Sequence, residues 1–234
     1  MKKLVIIPAY NEAASIINTV NDIKLNAPGF DYIIINDGSK DNTAKVCAEN
    51  GINHLNLSMN LGIGGAVQTG YMYAYRNQYD IAVQFDGDGQ HDAAFLDIMC
   101  KEITEEKCDL VVGSRFIEKE GFQSSGLRRF AIRYFTFLIE ILTGSKITDP
   151  TSGLRMCNSK IIEKFAMEYP KDYPEPETTV SVLKDKFKVC EMPVVMKERG
   201  EGKSSISPLK SVYYMIKVTL AILIECTRKR GIKK

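Results

Sequence analysis

Short apolar runs alternate with segments of helical period through the first half of the chain, and nothing else in the sequence limits the fold as strongly. Residues 4–7 form a continuous apolar run, as expected of a strand covered on both faces. Ala13, Ile16, Ile17, Val20 and Ile23 then recur at helical spacing until Pro28-Gly29. Residues 32–35 read as a second strand, and Asp41 as the N-cap of a short helix ending at Gly51. A third strand is expected at 54–57, and a helix at 63–76 with Ala66, Gly70 and Ala74 on one face. Residues 81–85 and 110–112 read as further strands, separated by a helix marked by Phe95, Leu96, Met99, Cys100 and Ile103. Such alternation predicts an α/β fold with a mostly parallel central sheet flanked by helices, and ligands beyond the carboxyl ends of the strands.

The second half changes character. Residues 127–142 read as a helix rich in large apolar side chains, with Arg128, Arg129 and Arg133 in its N-terminal part. Asp149-Pro150-Thr151-Ser152-Gly153-Leu154-Arg155 is a loop carrying an acid, two hydroxyls and a guanidinium. Pro174-Glu175-Pro176-Glu177 is expected to break the chain before a helix at 178–186, with a strand at 190–195. Residues 199–205 form a glycine-rich cationic loop suited either to folding over phosphates or to a solvated surface. From Pro208 to about Cys226 an apolar helix is expected, followed by Arg228, Lys229, Arg230, Lys233 and Lys234. An apolar helix beside a basic cluster suits a membrane interface, a core-packing helix with a basic tail, or docking on a membrane-protein partner.

Composition narrows the function classes. A net charge of +2 gives no basic excess that would point to nucleic acid. The 6 cysteines are scattered without a Cys-x-x-Cys pair, which reads as buried thiols in a reducing cytosol rather than bridges or zinc ligands. The 2 histidines are too few for a histidine metal cluster. The apolar core after Lys2-Lys3 is too short for a signal peptide, and no window reaches the ~20 apolar residues of a spanning helix.

Polar motifs fall where the expected parallel strands end: Pro8-Ala9-Tyr10-Asn11-Glu12, Asn36-Asp37-Gly38-Ser39, Asp86-Gly87-Asp88-Gly89-Gln90-His91 and Gly113-Ser114-Arg115. Together they describe a cleft along one sheet edge. A carboxylate pair two residues apart at a strand end aims oxygens at one point, and Gln90 offers a third; such ligands suit Mg²⁺ or Mn²⁺ completed by waters and substrate phosphate. Asp37 can accept from a base N–H. Asn60-Leu61-Gly62-Ile63-Gly64-Gly65 precedes a helix, so its amides suit either a phosphate or close helix packing.

These motifs, in this order and spacing, resemble family 2 glycosyltransferases of the GT-A fold. The second half is similar to the dolichol-phosphate mannose synthase, or polyprenyl-phosphate glycosyltransferase, branch, through 149–155 and through Arg199 with Gly202-Lys203-Ser204. Asn36 stands where many members carry aspartate, and Pro174-Glu175-Pro176-Glu177 replaces the Gln-x-x-Arg-Trp signature of processive synthases. The resemblance implies a catalytic domain over 1–205, with a nucleotide-sugar half at 1–116 and an acceptor half at 117–205, followed by an amphipathic helix and basic tail at 206–234. It implies that Pro8, Tyr10, Glu12 and Asp37 hold the nucleoside. Gly64, Gly87, Arg199 and Lys203 would join them around the donor phosphates, and Asp86, Asp88 and Gln90 would hold the metal. Arg115, Arg128, Arg129, Arg133 and Ser152 would take the acceptor phosphate, and Asp86, Asp88, Arg115 and Asp149 would carry catalysis.

The implied reaction inverts the anomeric carbon as one sugar passes from a nucleotide sugar, a UDP-sugar by frequency alone, to an undecaprenyl-type phosphate. The enzyme would sit on the cytoplasmic face of the membrane, with a small membrane protein as a further possible partner. A sugar-hydroxyl acceptor would instead require a general base, for which Asp149, Glu175 and Glu177 are the second-half candidates. A third reading is an inactive nucleotide-sugar-binding subunit, whose mark would be loss of a metal carboxylate; Asp86 and Asp88 are both present.

Overall fold

The computed structural model describes residues 1–118, 120–121, 126–197 and 208–228. Its centre is a 7-stranded sheet of order β3-β2-β1-β4-β6-β5-β7. Strands β1 (Lys3–Ala9), β2 (Asp31–Asn36), β3 (His54–Asn56) and β4 (Ile81–Gln84) pair in parallel. Strands β5 (Leu110–Ser114) and β7 (Val189–Pro193) are parallel to each other. Strand β6 (Arg155–Asn158) is antiparallel to both β4 and β5. Because β6 runs backwards, its start lies at the same sheet edge as the ends of β4 and β5, and that edge gathers the loops of both halves.

The apolar strands are continuous because both faces are covered. On one face Val5, Ile7 and Ile34 pack with Ile16, Val20 and Ile23 of α1 (Ile16–Asn26), Cys47 of α2 (Thr43–Glu49), and Leu96, Met99 and Ile103 of α4 (Leu96–Thr104). On the other, Leu4, Ile6, Ile33 and Ile35 pack with Ala66, Val67, Tyr71 and Ala74 of α3 (Gly62–Arg76) and Ile161, Ile162 and Phe165 of α6 (Ser159–Met167). The period of two along β1 thus divides one run between two cores. Each fully buried side chain of this kind contributes about 1.5–3 kcal/mol of transfer free energy. The fourth helix, α4 (Leu96–Thr104), follows a short 3₁₀ turn, Ala93–Phe95, whose first amides are met by the Asp92 carboxylate at Ala94 N–H.

A third cluster joins α5 (Gly126–Thr143), α7 (Pro174–Lys184) and α8 (Pro208–Thr227) through Phe135, Ile139, Val180, Val218 and Ile222. The C-terminal helix therefore packs one face into the protein. Its other face leaves Val212, Tyr213, Ile216, Leu220 and Ile224 exposed, beside exposed Phe130, Phe137 and Ile141 on α5. No described helix is long and apolar enough to cross a membrane.

Three sequence expectations change here. Helix α7 begins at Pro174, four residues before the expected start, because proline suits a first turn whose N–H needs no partner. Strand β6 and helix α6 were not anticipated: β6 is short and opens on a charged residue, Arg155, which is 1% exposed. The cysteines are not all free thiols, since Cys108 and Cys190 form a disulfide across β5 and β7 with a Cα–Cα distance of 5.8 Å; Cys47, Cys100, Cys157 and Cys226 are free.

Candidate active site

A cavity of about 600 Å³ opens at the shared sheet edge, within the range of small-ligand sites. Pro8, Ala9, Tyr10 and Glu12 line it after β1, Asp37 after β2, Asp86, Gly87 and Asp88 after β4, and Asn60, Gly62, Ile63 and Ala66 around the start of α3. Gly153 and Glu175 close it from the second half. Pro8, Tyr10, Glu12, Asp37, Asp86, Gly87 and Asp88, expected from the sequence around the donor, thus meet in one cavity. Arg199 and Lys203 lie outside the described residues.

The loops after β1 and β2 are laced together. Asn11 N–H donates to Ser39 Oγ, Lys40 N–H donates to Asn11 Oδ1, and Glu12 N–H donates to Thr43 Oγ1. The Asp41 carboxylate accepts from Thr43 N–H, from the Thr43 hydroxyl and from Ala13 N–H. Burial tends to raise its pKa, but those donors outweigh it and hold it below the usual carboxylate value.

Asp37 is 3% exposed, and both its oxygens accept backbone amides: Oδ1 from Leu61 at 2.6 Å and Oδ2 from Gly62 at 2.9 Å. A carboxylate at a helix start satisfies amides that the helix leaves open. The side chain still lines the cavity, so a base contact would use its remaining lone pairs.

Gly64 has a different role from the expected phosphate contact. Its N–H donates to Lys171 O at 3.1 Å, and a Cβ there would lie 2.0 Å from Pro170 O. The glycine lets α3 press against the segment that leads into α7, and its amide is not turned to the cavity.

Asp86 and Asp88 are half-buried at the end of β4. Asp88 Oδ1 accepts from Gln90 N–H at 3.0 Å, and His91 Nε2 lies 3.3 Å from Asp86 Oδ2. His91, 3% exposed and packed edge-on against Phe85, fixes that carboxylate from behind, a role its sequence position did not reveal. Gln90 is not among the residues lining the cavity; its side-chain N–H donates to Lys197 O at 3.2 Å, which leaves its Oε1 as an acceptor. Among the described residues no group of three His, Cys, Asp or Glu could hold an ion by itself. A carboxylate pair opening on a cavity fits Mg²⁺ or Mn²⁺ all the same, since these ions keep waters and take ligand oxygens.

The second half builds its part of the edge from buried charges. Arg115 is 5% exposed and Asp149 is 0% exposed. Arg115 Nε donates to Asp149 Oδ2 at 2.6 Å and a terminal nitrogen to Oδ1 at 2.8 Å, a bidentate pair. Burial pulls the Arg115 pKa down, yet the bonds and charge of Asp149, with the charge of Asp86 behind, carry it above its ordinary value. Asp149 therefore orients Arg115 from a wholly buried position and does not line the cavity, so the structure does not bring it to the catalytic place expected from the sequence. Glu191 of β7 in turn holds the loop, accepting from Thr148 N–H at 2.7 Å and Asp149 N–H at 2.8 Å.

Ser152 is also turned inward, 2% exposed, with its hydroxyl accepting from Leu154 N–H, so it does not face an acceptor as expected. Arg155 donates to Ser152 O, Pro150 O and Thr178 Oγ1 and braces the same loop. Arg128, Arg129 and Arg133 sit on the exposed face at the start of α5.

Glu175, on the first turn of α7, is the second-half acid that reaches the cavity. Burial raises its pKa, and the charge of Arg155 partly offsets that shift. Its Oε1 accepts from Gln84 Nε2 at 3.4 Å, and Gln84 Oε1 accepts from the Tyr169 hydroxyl at 3.3 Å. The sequence signal for this contact is a polar Gln84 in an otherwise apolar strand.

Comparison with known proteins is consistent with this geometry. The family described as Glycosyl transferase family 2 matches residues 4–165. A UDP-N-acetylglucosamine–dolichyl-phosphate N-acetylglucosaminyltransferase of Methanococcus voltae is 32% identical, covering 81% of this chain and 83% of that one. An undecaprenyl-phosphate mannosyltransferase of Micrococcus luteus is 26% identical, covering 88% of each. Among solved structures, glucosyl-3-phosphoglycerate synthase of Mycobacterium tuberculosis in complex with Mn²⁺, UDP-glucose and phosphoglyceric acid superposes with a TM-score of 0.70 at 19% identity, covering 98% of this chain and 81% of that one.

Proposed function

The chain belongs to glycosyl transferase family 2, and on that premise we propose that it moves one sugar, with inversion, from a nucleoside-diphosphate sugar to a polyprenyl phosphate of undecaprenyl type. The observation that carries the reading is the cavity that joins Asp86 and Asp88 to Pro8, Tyr10, Glu12 and Asp37. The relatives named for dolichyl and undecaprenyl phosphate acceptors support the acceptor class. The Mn²⁺ and UDP-glucose of the structural neighbour support a divalent ion and a uridine donor.

In this reading the loops after β1 and β2 orient the nucleoside, and Asp86 and Asp88 would hold a divalent cation. Such an ion supplies charge to the departing nucleoside diphosphate. The exposed Arg128, Arg129 and Arg133 position the acceptor phosphate, while Arg115, expected from the sequence to share that task, is buried against Asp149 and Thr151 and braces the loop behind the cavity. A phosphate is already anionic near neutral pH, so positioning replaces deprotonation as the task of the protein. The exposed apolar faces of α5 and α8, with the basic residues that follow, support a peripheral place on the cytoplasmic membrane face.

The test is product partitioning. Purified protein with Mn²⁺, undecaprenyl phosphate and radiolabelled UDP- or GDP-sugars is expected to carry label into the organic phase. Label that stays aqueous with every donor, or that passes only to a glycan acceptor, overturns the lipid-phosphate acceptor.

A further inference from the structure

Glu175 stands apart from the family motifs. It comes from the second half of the chain yet lines the cavity that the first half builds. Sheet order fixes where along that cavity it lies. Asp37 follows β2, Pro8 and Tyr10 follow β1, Asp86 and Asp88 follow β4, and Gly153 precedes β6, in the spatial order β2-β1-β4-β6. A nucleotide sugar laid across this edge, with its base over β2 and β1 and its diphosphate at Asp86 and Asp88, must project its sugar past β4 toward Gly153 and Glu175.

At that end Gly87 is buried and Gly153 and Glu175 are half-buried. A Cβ on Gly153 would lie 2.6 Å from Asp86 Oδ2, so any side chain there would displace that carboxylate.

Glu175 is held there by a chain of buried polar groups. Gln84, 0% exposed, sits two residues before Asp86 on the same strand, and its amide bridges Tyr169 to Glu175. A buried amide in a core strand is destabilising unless satisfied, so this one specifies a position for the carboxyl it meets. The residue that turns the chain into α7, Tyr173, adopts φ +49°, a left-handed conformation that is costly for a bulky side chain. The described donors to the Glu175 carboxyl are Gln84 and its own backbone N–H. A carboxyl has further acceptor capacity beyond these.

We infer that Glu175 is the residue that recognises the sugar of the donor, accepting hydrogen bonds from ring hydroxyls and selecting neutral hexoses or N-acetylhexosamines against uronates. Glu12, Asp37, Asp86, Asp88 and Glu175 all line the cavity, and none of the described lining residues is basic. Among these described residues a sugar carboxylate would meet like charge and no cation. The inference rests on the nucleotide-sugar reading and deepens it.

The experiment compares wild type, Glu175→Gln and Glu175→Ala with Mn²⁺ and each of UDP, UDP-glucose, UDP-N-acetylglucosamine, UDP-galactose and UDP-glucuronate, by calorimetry and by turnover. The melting temperature of each unliganded variant reports folding, and the near-isosteric Gln variant guards against loss of fold in the Ala variant. Wild type is expected to bind at least one neutral UDP-sugar more tightly than UDP and to disfavour UDP-glucuronate. In both variants UDP affinity stays within about twofold, while preference for the neutral sugar falls by about tenfold, the order of one hydrogen bond to a charged group. Discrimination against UDP-glucuronate narrows in the Gln variant.

Equal weakening of UDP and every UDP-sugar overturns the inference. So does uniform loss of turnover with unchanged sugar-nucleotide binding, the mark of a general base. A wild type that binds none of these nucleotides, nor their GDP counterparts, overturns the nucleotide-sugar reading itself.

Discussion

The two halves of the sheet edge use charge in opposite ways. On the β1–β2–β4 side, Asp86 and Asp88 are half-buried and open on a cavity. On the β5–β6–β7 side, Arg115, Asp149 and Arg155 are almost wholly buried, and their polar atoms are engaged by one another, by the 148–155 loop and by Thr178 and Glu191. Similar residue types therefore do different work. In the first half the motif residues line the cavity; in the second most of them build the wall that holds a few outward-facing groups in place. Substitutions on the first side should remove activity and spare the fold, and substitutions on the second should damage both.

The largest expected effect is on the first side. Asp88→Asn should lower turnover by about 10²–10³-fold or more, because the charge that holds the cation against the leaving group is lost. Its melting temperature should stay within about 2 °C of wild type, as for a substitution outside the core. Retained turnover with Mn²⁺ would remove the metal role from this pair.

Asp149→Asn comes next and reports on the other side. It leaves the Arg115 guanidinium buried without its counter-charge, which costs about 3–5 kcal/mol. For a chain of this size that is a fall in melting temperature on the order of 10 °C. If Asp88→Asn melts as low as Asp149→Asn, the contrast between the two sides is wrong.

The Cys108–Cys190 bridge offers a third comparison. It joins β5, which leads to Arg115, and β7, which carries Glu191, so it staples the buried side only. Reduction, or Cys190→Ser, should destabilise the fold by about 2–4 kcal/mol, the usual worth of a bridge closing a long loop. Affinity for a nucleoside diphosphate should be unchanged, because none of the cavity-lining residues of the first half touches the bridge. A drop in nucleotide affinity on reduction would mean that the two sides are mechanically coupled.

The same contrast explains what was legible in the sequence. The parallel strands could be read because each is an unbroken apolar run, and their end loops because Pro8, Tyr10, Asp37 and Asp86 fall next to those runs. Strand β6 could not be read: four residues opening on a buried arginine give neither an apolar run nor a period, and its place depends on β4 and β5, which are distant in sequence. The roles of Asp149 and Ser152 were misjudged for a related reason. A polar loop looks alike whether it faces a ligand or its own supports, and only Glu191 and Arg155, 42 residues away and next in line, show which. Gly64 failed as a phosphate contact because the chain it meets, Pro170 and Lys171, is invisible at the level of the glycine-rich motif.

The smallest predicted effect asks whether the ligand-facing side has supports of its own. Thr43 Oγ1 accepts from Glu12 N–H and donates to Asp41, so the Asp41 carboxylate steadies a residue of the cavity wall. Asp41 is exposed, unlike Asp149, so solvent screens it, and Asp41→Asn should cost only a few tenths of a kcal/mol. Its pKa in the folded protein is lowered from 3.8. The ionised carboxylate therefore adds stability above that value, and the addition is lost as pH falls through the folded pKa. Urea midpoints of wild type and Asp41→Asn should differ at pH 7 and pH 5 and draw together as pH falls below 3.8 through the folded pKa. A difference that persists in acid would mean that the side chain acts through shape rather than charge, and that even the open side of the sheet edge is held by packing.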